Sequence, residues 1–214
     1  MARVLCLHGL GGTGATMWPI VGHLASAQHE VLALTLPGHG SSPGDLLTTT
    51  WDDWLGAARD WPADVVVGQS MGAMIALALA AEGRCRAVAA INPLLADPDA
   101  IDGLEWRQSR GTEWIEVDPS TVGEVAYDRL PIEAVLTMHH GLATIDLVAV
   151  TVPVIVVTSA HDDVVDPANS DLVATALGGT VERLHLDASG HVASLDVQRD
   201  FVGVAITAFV ARHC

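Results

Sequence analysis

Ser70 stands between two glycines in Gly68-Gln69-Ser70-Met71-Gly72, after the β-branched run Val65-Val66-Val67 and before the alanine-rich stretch from Met71 to Ala81. A serine hydroxyl is a weak nucleophile. It attacks a carbonyl when a base takes its proton and a carboxylate orients that base. Two later stretches carry those residue types: Ser159-Ala160-His161-Asp162-Asp163-Val164-Val165-Asp166-Pro167 is acidic, and Asp187-Ala188-Ser189-Gly190-His191 ends on a histidine. The chain order is Ser, Asp, His, and the chemistry such a set performs is acyl transfer. A chance G-x-S-x-G arises in about one chain in ten of this length and glycine content. The motif therefore draws its weight from the elements around it.

Those elements alternate. Short β-rich runs at Arg3 to Leu7, Val31 to Leu36, Asp64 to Val67, Arg86 to Ile91, Val152 to Thr158 and Val181 to Leu186 are separated by longer helical patterns. This predicts βαβ units, a parallel sheet and helices on both faces. Ser70 then falls at an abrupt strand-to-helix turn, where the flanking glycines remove colliding Cβ atoms and the helix N-terminus can meet a developing negative charge. The acidic stretch and His191 both follow strands at their carboxyl ends, the edge where open α/β sheets place ligands. Thr50 with Asp53 forms an acidic variant of a capping box, and Asp166-Pro167 reads as an N-cap followed by proline. Near the end, Val197, Phe201, Ala205, Ala208 and Phe209 form one apolar stripe. At 214 residues the chain suits a single domain. Residues 1–96 and 147–214 are expected to make the core, and residues 97–146 a small insertion of two or three short helices over one sheet edge, with Pro119 and Pro131 near helix starts.

The chain resembles the α/β-hydrolase family, and within it the small carboxylesterases related to monoacylglycerol lipase. The residues that carry the resemblance are His8-Gly9, Leu36-Pro37-Gly38-His39-Gly40-Ser41, Gly-Gln-Ser-Met-Gly, the acidic loop and Ser189-Gly190-His191. It implies an α/β-hydrolase fold with a minimal, mostly parallel six-stranded sheet flanked by helices and a short helical cap, lacking the first two strands of the full family fold. It also implies a serine esterase with Ser70 as nucleophile, His191 as base and an aspartate from the acidic loop. Ser159 or Ala160 stands where the family's acid loop begins with glycine, so Asp162 is the first choice for the acid, Asp163 the second and Asp166 the third. Thr35 stands where the family commonly has an aspartate. In this reading the backbone N–H groups of Leu10 and Met71 form the oxyanion hole, no cofactor or metal is needed, and the substrate is a small-molecule ester of small to medium acyl chain. Thioesterase, lactonase and cofactor-free perhydrolase activity stay open on the same residues. So does a hydrolase-like protein that only binds a small ligand.

Rival readings rest on fewer residues. Gly9-Leu10-Gly11-Gly12-Thr13-Gly14 satisfies the dinucleotide fingerprint, yet Glu30 precedes the second strand instead of ending it and Thr35 is no substitute for the ribose-binding acid. His161 beside Asp162 has no second ligand cluster with zinc-like spacing. His8 is assigned to shaping its loop, and His139, His140, His185 and His213 to structural or solvated places. A net charge of -16 disfavours nucleic acid and anionic membrane surfaces. No apolar run approaches the ~20 residues that span a bilayer. The N-terminus shows no signal-peptide pattern and the three cysteines have no metal-type spacing, so a soluble, cytoplasmic protein is expected. The oligomeric state is open.

Overall fold

The computed structural model describes residues 1–118 and 122–214. Its strands are β1 (Arg3–Leu7), β2 (Glu30–Leu34), β3 (Val65–Gln69), β4 (Ala87–Ile91), β5 (Trp114–Glu116), β6 (Arg129–Pro131), β7 (Val154–Ser159) and β8 (Val181–Leu186). Its helices are α1 (Trp18–Ser26), α2 (Trp51–Arg59), α3 (Met71–Ala81), α4 (Pro98–Ser109), α5 (Ile132–Leu142), α6 (Ala168–Ala176) and α7 (Arg199–His213). Six strands form one sheet in the order β2-β1-β3-β4-β7-β8, and every neighbouring pair is parallel.

A parallel sheet must be covered on both faces, and the side-chain alternation shows how. Leu5, Leu7, Val66, Val154 and Val156 point to one core with α2, α3 and α5. Val4, Cys6, Val65, Val67, Ile155 and Val157 point to the other, with α1 and α7. α3 is buried on nearly every side because it crosses the middle of the sheet. The capping box expected at Thr50 and Asp53 opens α2, with the Thr50 N–H donating to Asp53 at 2.8 Å. Asp166 accepts the Ala168 N–H at 2.9 Å from two residues before α6 begins, and Pro167, expected as the first helical residue, takes the N-cap position instead.

Two expectations need correcting. The stretch between β4 and β7 is not wholly helical: β5 and β6 pair antiparallel between α4 and α5. Pro131 does precede α5, whereas Pro119 lies outside the described residues. The buried face of α7 is also not the stripe of Val197, Phe201, Ala205, Ala208 and Phe209. Val202, Gly203, Ile206, Phe209 and Val210 are buried, while Val197 and Phe201 are exposed. The reason lies on α1, since a side chain at 203 would run into the His23 ring. The glycine face is the one that lets the two helices meet.

Candidate active site

The turn at Ser70 has φ 56° and ψ -124°, a left-handed backbone that costs a non-glycine residue about 1–3 kcal/mol. The surrounding structure holds it there. The Ser70 N–H donates to the Ile91 carbonyl at 2.9 Å, and β3 is paired on both sides. A Cβ on Gly68 would collide with the Gly72 carbonyl, and one on Gly72 would lie 2.5 Å from the Leu7 oxygen and 2.6 Å from the His8 oxygen. Both glycines of the motif are therefore required by close backbone approach. Ser70 ends up at the C-terminal edge of the sheet, and its Oγ is 3.6 Å from where a Cβ of Gly9 would sit. Met71, the first residue of α3, has an N–H with no acceptor a turn earlier in its helix.

His191 lies on the loop after β8 and Asp162 on the loop after β7. The His191 Nδ1 is 2.9 and 2.8 Å from the two Asp162 oxygens. Asp162 Oδ1 also accepts the N–H groups of Val164 at 3.0 Å and Val165 at 2.8 Å. With its side chain only 2% exposed and that of His191 12%, the aspartate is a carboxylate held by three donors, and it fixes one face of the imidazole. Asp163 and Asp166 are exposed, and Asp166 is occupied with Ala168. The structure thus brings Asp162 and His191 into contact and sets Ser70 on the same sheet edge.

Several residues that shape this edge have no signature in the sequence. Asn92, just past β4, is buried with φ 45°. Its side chain accepts the Ser159 N–H at 2.8 Å and donates to Ser159 Oγ at 3.0 Å and to the His191 carbonyl at 2.8 Å. One amide therefore ties the start of the Asp162 loop to the His191 backbone. Gln69 does a similar service, accepting the Ser194 N–H at 3.0 Å. Glu124 accepts from Thr16 Oγ1 at 2.9 Å and lies 3.0 Å from the Cβ position of Gly12. Burial holds its carboxyl above the ordinary carboxylate range, an effect that the Thr16 hydroxyl and nearby His191 partly offset.

His8 is fully buried. The Leu36 N–H donates to its Nε2 at 3.0 Å, so Nδ1 carries the proton and donates to the Gly9 carbonyl at 2.7 Å. Burial is the main reason its pKa is pushed down to about 3. It is a neutral loop-shaping group. His39 packs edge-on to His8 and face-on to Tyr127. His139 is buried against the Asp97 N–H, while His140 and His185 are exposed. Among the described residues no group of three or more His, Cys, Asp or Glu side chains is arranged to hold a metal ion, and no helix is long and apolar enough to cross a membrane. The glycine run read as a dinucleotide loop instead backs onto Ser70, and Glu30 pairs with Arg3 at the far edge of the sheet.

The model of the alpha/beta hydrolase family matches residues 4–204. The chain belongs to this family. A thermostable monoacylglycerol lipase from Bacillus sp. (strain H-257) is 28% identical over 230 residues, covering 98% of this chain and 90% of the relative. Among solved structures, one from work on the metagenome-derived lipolytic enzymes LipS and LipT superposes with a TM-score of 0.90 at 27% identity, covering 99% of this chain and 94% of the other. The monoacylglycerol lipase of Paleococcus ferrophilus superposes with a TM-score of 0.83 at 17% identity, covering 99% and 95%, which speaks for the fold. As an alpha/beta hydrolase the chain has the six parallel strands expected from its sequence, and the resemblance to small lipases and esterases extends over almost all of it.

Proposed function

We propose that this carboxylic ester hydrolase works through Ser70, His191 and Asp162. The observation that carries the reading is the imidazole of His191, clamped at Nδ1 by a buried Asp162 on the sheet edge where Ser70 is held in a strained turn. His191 Nε2 takes the Ser70 proton as Oγ attacks the ester carbonyl. The tetrahedral oxyanion is met by the N–H groups of Leu10 and Met71. The imidazolium then gives its proton to the leaving alcohol, and an acyl-enzyme remains. Water, deprotonated by His191, attacks the acyl carbon, the same N–H groups meet the second oxyanion, and its collapse breaks the bond to Ser70 Oγ, which takes the proton back from His191 as the acid leaves. Asp162 stays ionised throughout and keeps the imidazole tautomer fixed.

The substrate of this reading is a small-molecule ester of small to medium acyl chain. Kinship with a monoacylglycerol lipase makes monoacylglycerols natural members of the set. A cleft of about 480 Å³ between Thr16, Trp18, Val125 and Leu195 is lined mainly by apolar atoms and adjoins Glu124 and the His191 loop. Its size suits a ligand site, and we assign it to the acyl chain, with residues 97–146 as the cap above the core. No cofactor takes part. A cytoplasmic setting belongs to the same reading, since three unpaired cysteines suit a reducing compartment.

Hydrolysis of p-nitrophenyl esters from acetate to palmitate, with wild type beside a folded Ser70→Ala variant, tests this. Activity confined to the wild type, together with phosphonate labelling of Ser70 alone, is the expected result. Equal activity in both proteins would remove Ser70 as nucleophile.

A further inference from the structure

The loop that backs onto Ser70 is in contact with the stretch between β4 and β7 at three places. Glu124 faces Gly12, Leu130 Cδ2 lies 3.0 Å from the Cβ position of Gly11, and the Tyr127 N–H donates to the Gly11 carbonyl at 3.0 Å. The third contact differs in kind from the other two. The Gly11 carbonyl belongs to the same peptide unit as the Gly12 N–H, and that N–H donates to the Gly9 carbonyl at 3.1 Å. The Gly9 carbonyl in turn shares its peptide unit with the Leu10 N–H. Every peptide bond described is trans, so each carbonyl and its partner N–H point in opposite directions.

We propose that Tyr127 is a positioning residue for the oxyanion hole, heading a hydrogen-bonded series of peptide units that runs from Tyr127 N–H through Gly11–Gly12 and Gly9–Leu10 and ends on the Leu10 N–H. The inference rests on the reading of Leu10 as an oxyanion donor. Its physical content is twofold. Hydrogen bonds in series polarise one another, strengthening each by roughly 10–30%, so the terminal donor is more positive than an isolated amide. The series also fixes the plane of the Gly9–Leu10 peptide, whose carbonyl is held a second time by His8 Nδ1 at 2.7 Å.

Tyr127 is itself anchored from outside the loop. Its hydroxyl donates to the Gly38 carbonyl at 2.9 Å and accepts the Ser41 N–H at 3.1 Å, and its ring lies 11° from parallel with His39. The head of the series is thus pinned to the turn after β2, and any shift of the segment bearing Tyr127 is passed to the Leu10 N–H. Loss of a whole oxyanion donor lowers kcat by about 10²–10³. Loss of the bond that orients and polarises one is expected to lower it by roughly tenfold.

The test replaces the amide of residue 127 by an ester in the full chain, incorporating the α-hydroxy analogue of tyrosine so that the ring and hydroxyl stay and only the N–H is lost. Tyr127→Phe, which keeps the N–H and the ring but frees the hydroxyl anchor, serves as the second variant. Each is compared with wild type for kcat and KM on p-nitrophenyl butyrate and for the Ki of an alkyl trifluoromethyl ketone, which forms an oxyanion on the serine. The expected result is a roughly tenfold fall in kcat for the ester variant, a matching rise in Ki, KM within about twofold, and a smaller parallel change for Tyr127→Phe. Unchanged kcat and Ki overturn the proposal, as does a fall in kcat without the matching rise in Ki. In either case loss of activity in Ser70→Ala leaves the nucleophile in place, whereas full activity in Ser70→Ala overturns the nucleophile and the series together.

Discussion

Replacing Asn92 by alanine should damage both stability and turnover, and the sizes follow from its partners. Three groups lose their bonds: the Ser159 N–H, the Ser159 Oγ and the His191 carbonyl. Ser159 is fully buried, so water does not replace the amide there. An unsatisfied buried polar group costs about 1–3 kcal/mol. The Ser159 hydroxyl can rotate to a new partner, so the two groups left unpaired cost about 2–6 kcal/mol together. Alanine at φ 45° adds about 1–2 kcal/mol of left-handed strain, for a loss of roughly 3–8 kcal/mol in all. Asn92→Gly removes the same bonds without that strain and should be about 1 kcal/mol less harmful. With its carbonyl released, the His191 loop drifts, and misplacement of a catalytic group by about 1 Å costs around 10²-fold in rate. Urea unfolding followed by tryptophan fluorescence, and kcat/KM on p-nitrophenyl butyrate under folding conditions, would check both numbers. An Asn92→Ala protein within 1 kcal/mol of wild type and fully active would show that the three bonds neither secure the fold nor place His191.

Asp162→Asn should lower kcat by about 10⁴-fold, because an asparagine favours the wrong imidazole tautomer, while Asp163→Asn stays within about twofold since that side chain is exposed; steady-state esterase kinetics separate the two. Glu124→Gln should raise Tm at pH 8, with the gain shrinking towards pH 4. The folded pKa of Glu124 lies above its ordinary value, so the folded state holds this proton more tightly than the unfolded chain, and stability is lost as pH rises through the folded value. Glutamine keeps an acceptor for Thr16 and removes the charge. Calorimetric scans across that pH range that show no gain at the alkaline end would contradict the burial argument.

The turn at Ser70 and the run of parallel strands were legible because their signals are local. Gly68 and Gly72 sit two positions either side of Ser70, and a β-branched run followed by alanines marks strand and helix within a few residues. Asn92, Glu124 and Tyr127 left no such mark. Their partners are 67 to 116 positions away, and for Asn92 and Tyr127 they are largely backbone atoms, which look the same whatever residue carries them. The α7 stripe was misread for a related reason. Apolar residues occur on more than one face of that helix, and the choice between faces was made by His23 needing room at Gly203. The β5/β6 pair escaped notice because each strand is three residues long, too short for a period of two to show.

The all-parallel sheet has a consequence for how the active molecule comes into being. No two neighbouring strands are joined by a tight hairpin, so each pairing must wait for a long loop to close, and chains dominated by such distant pairings fold slowly. The strained turn at Ser70 leans on β1 and β4 together, through the oxygens of Leu7 and His8 on one side and of Ile91 on the other. Until both neighbours are in place, nothing offsets its unfavourable backbone angles, and the serine relaxes into an ordinary conformation. During refolding, helix signal should therefore return ahead of esterase activity, and the turn at Ser70 should be among the last parts of the molecule to mature.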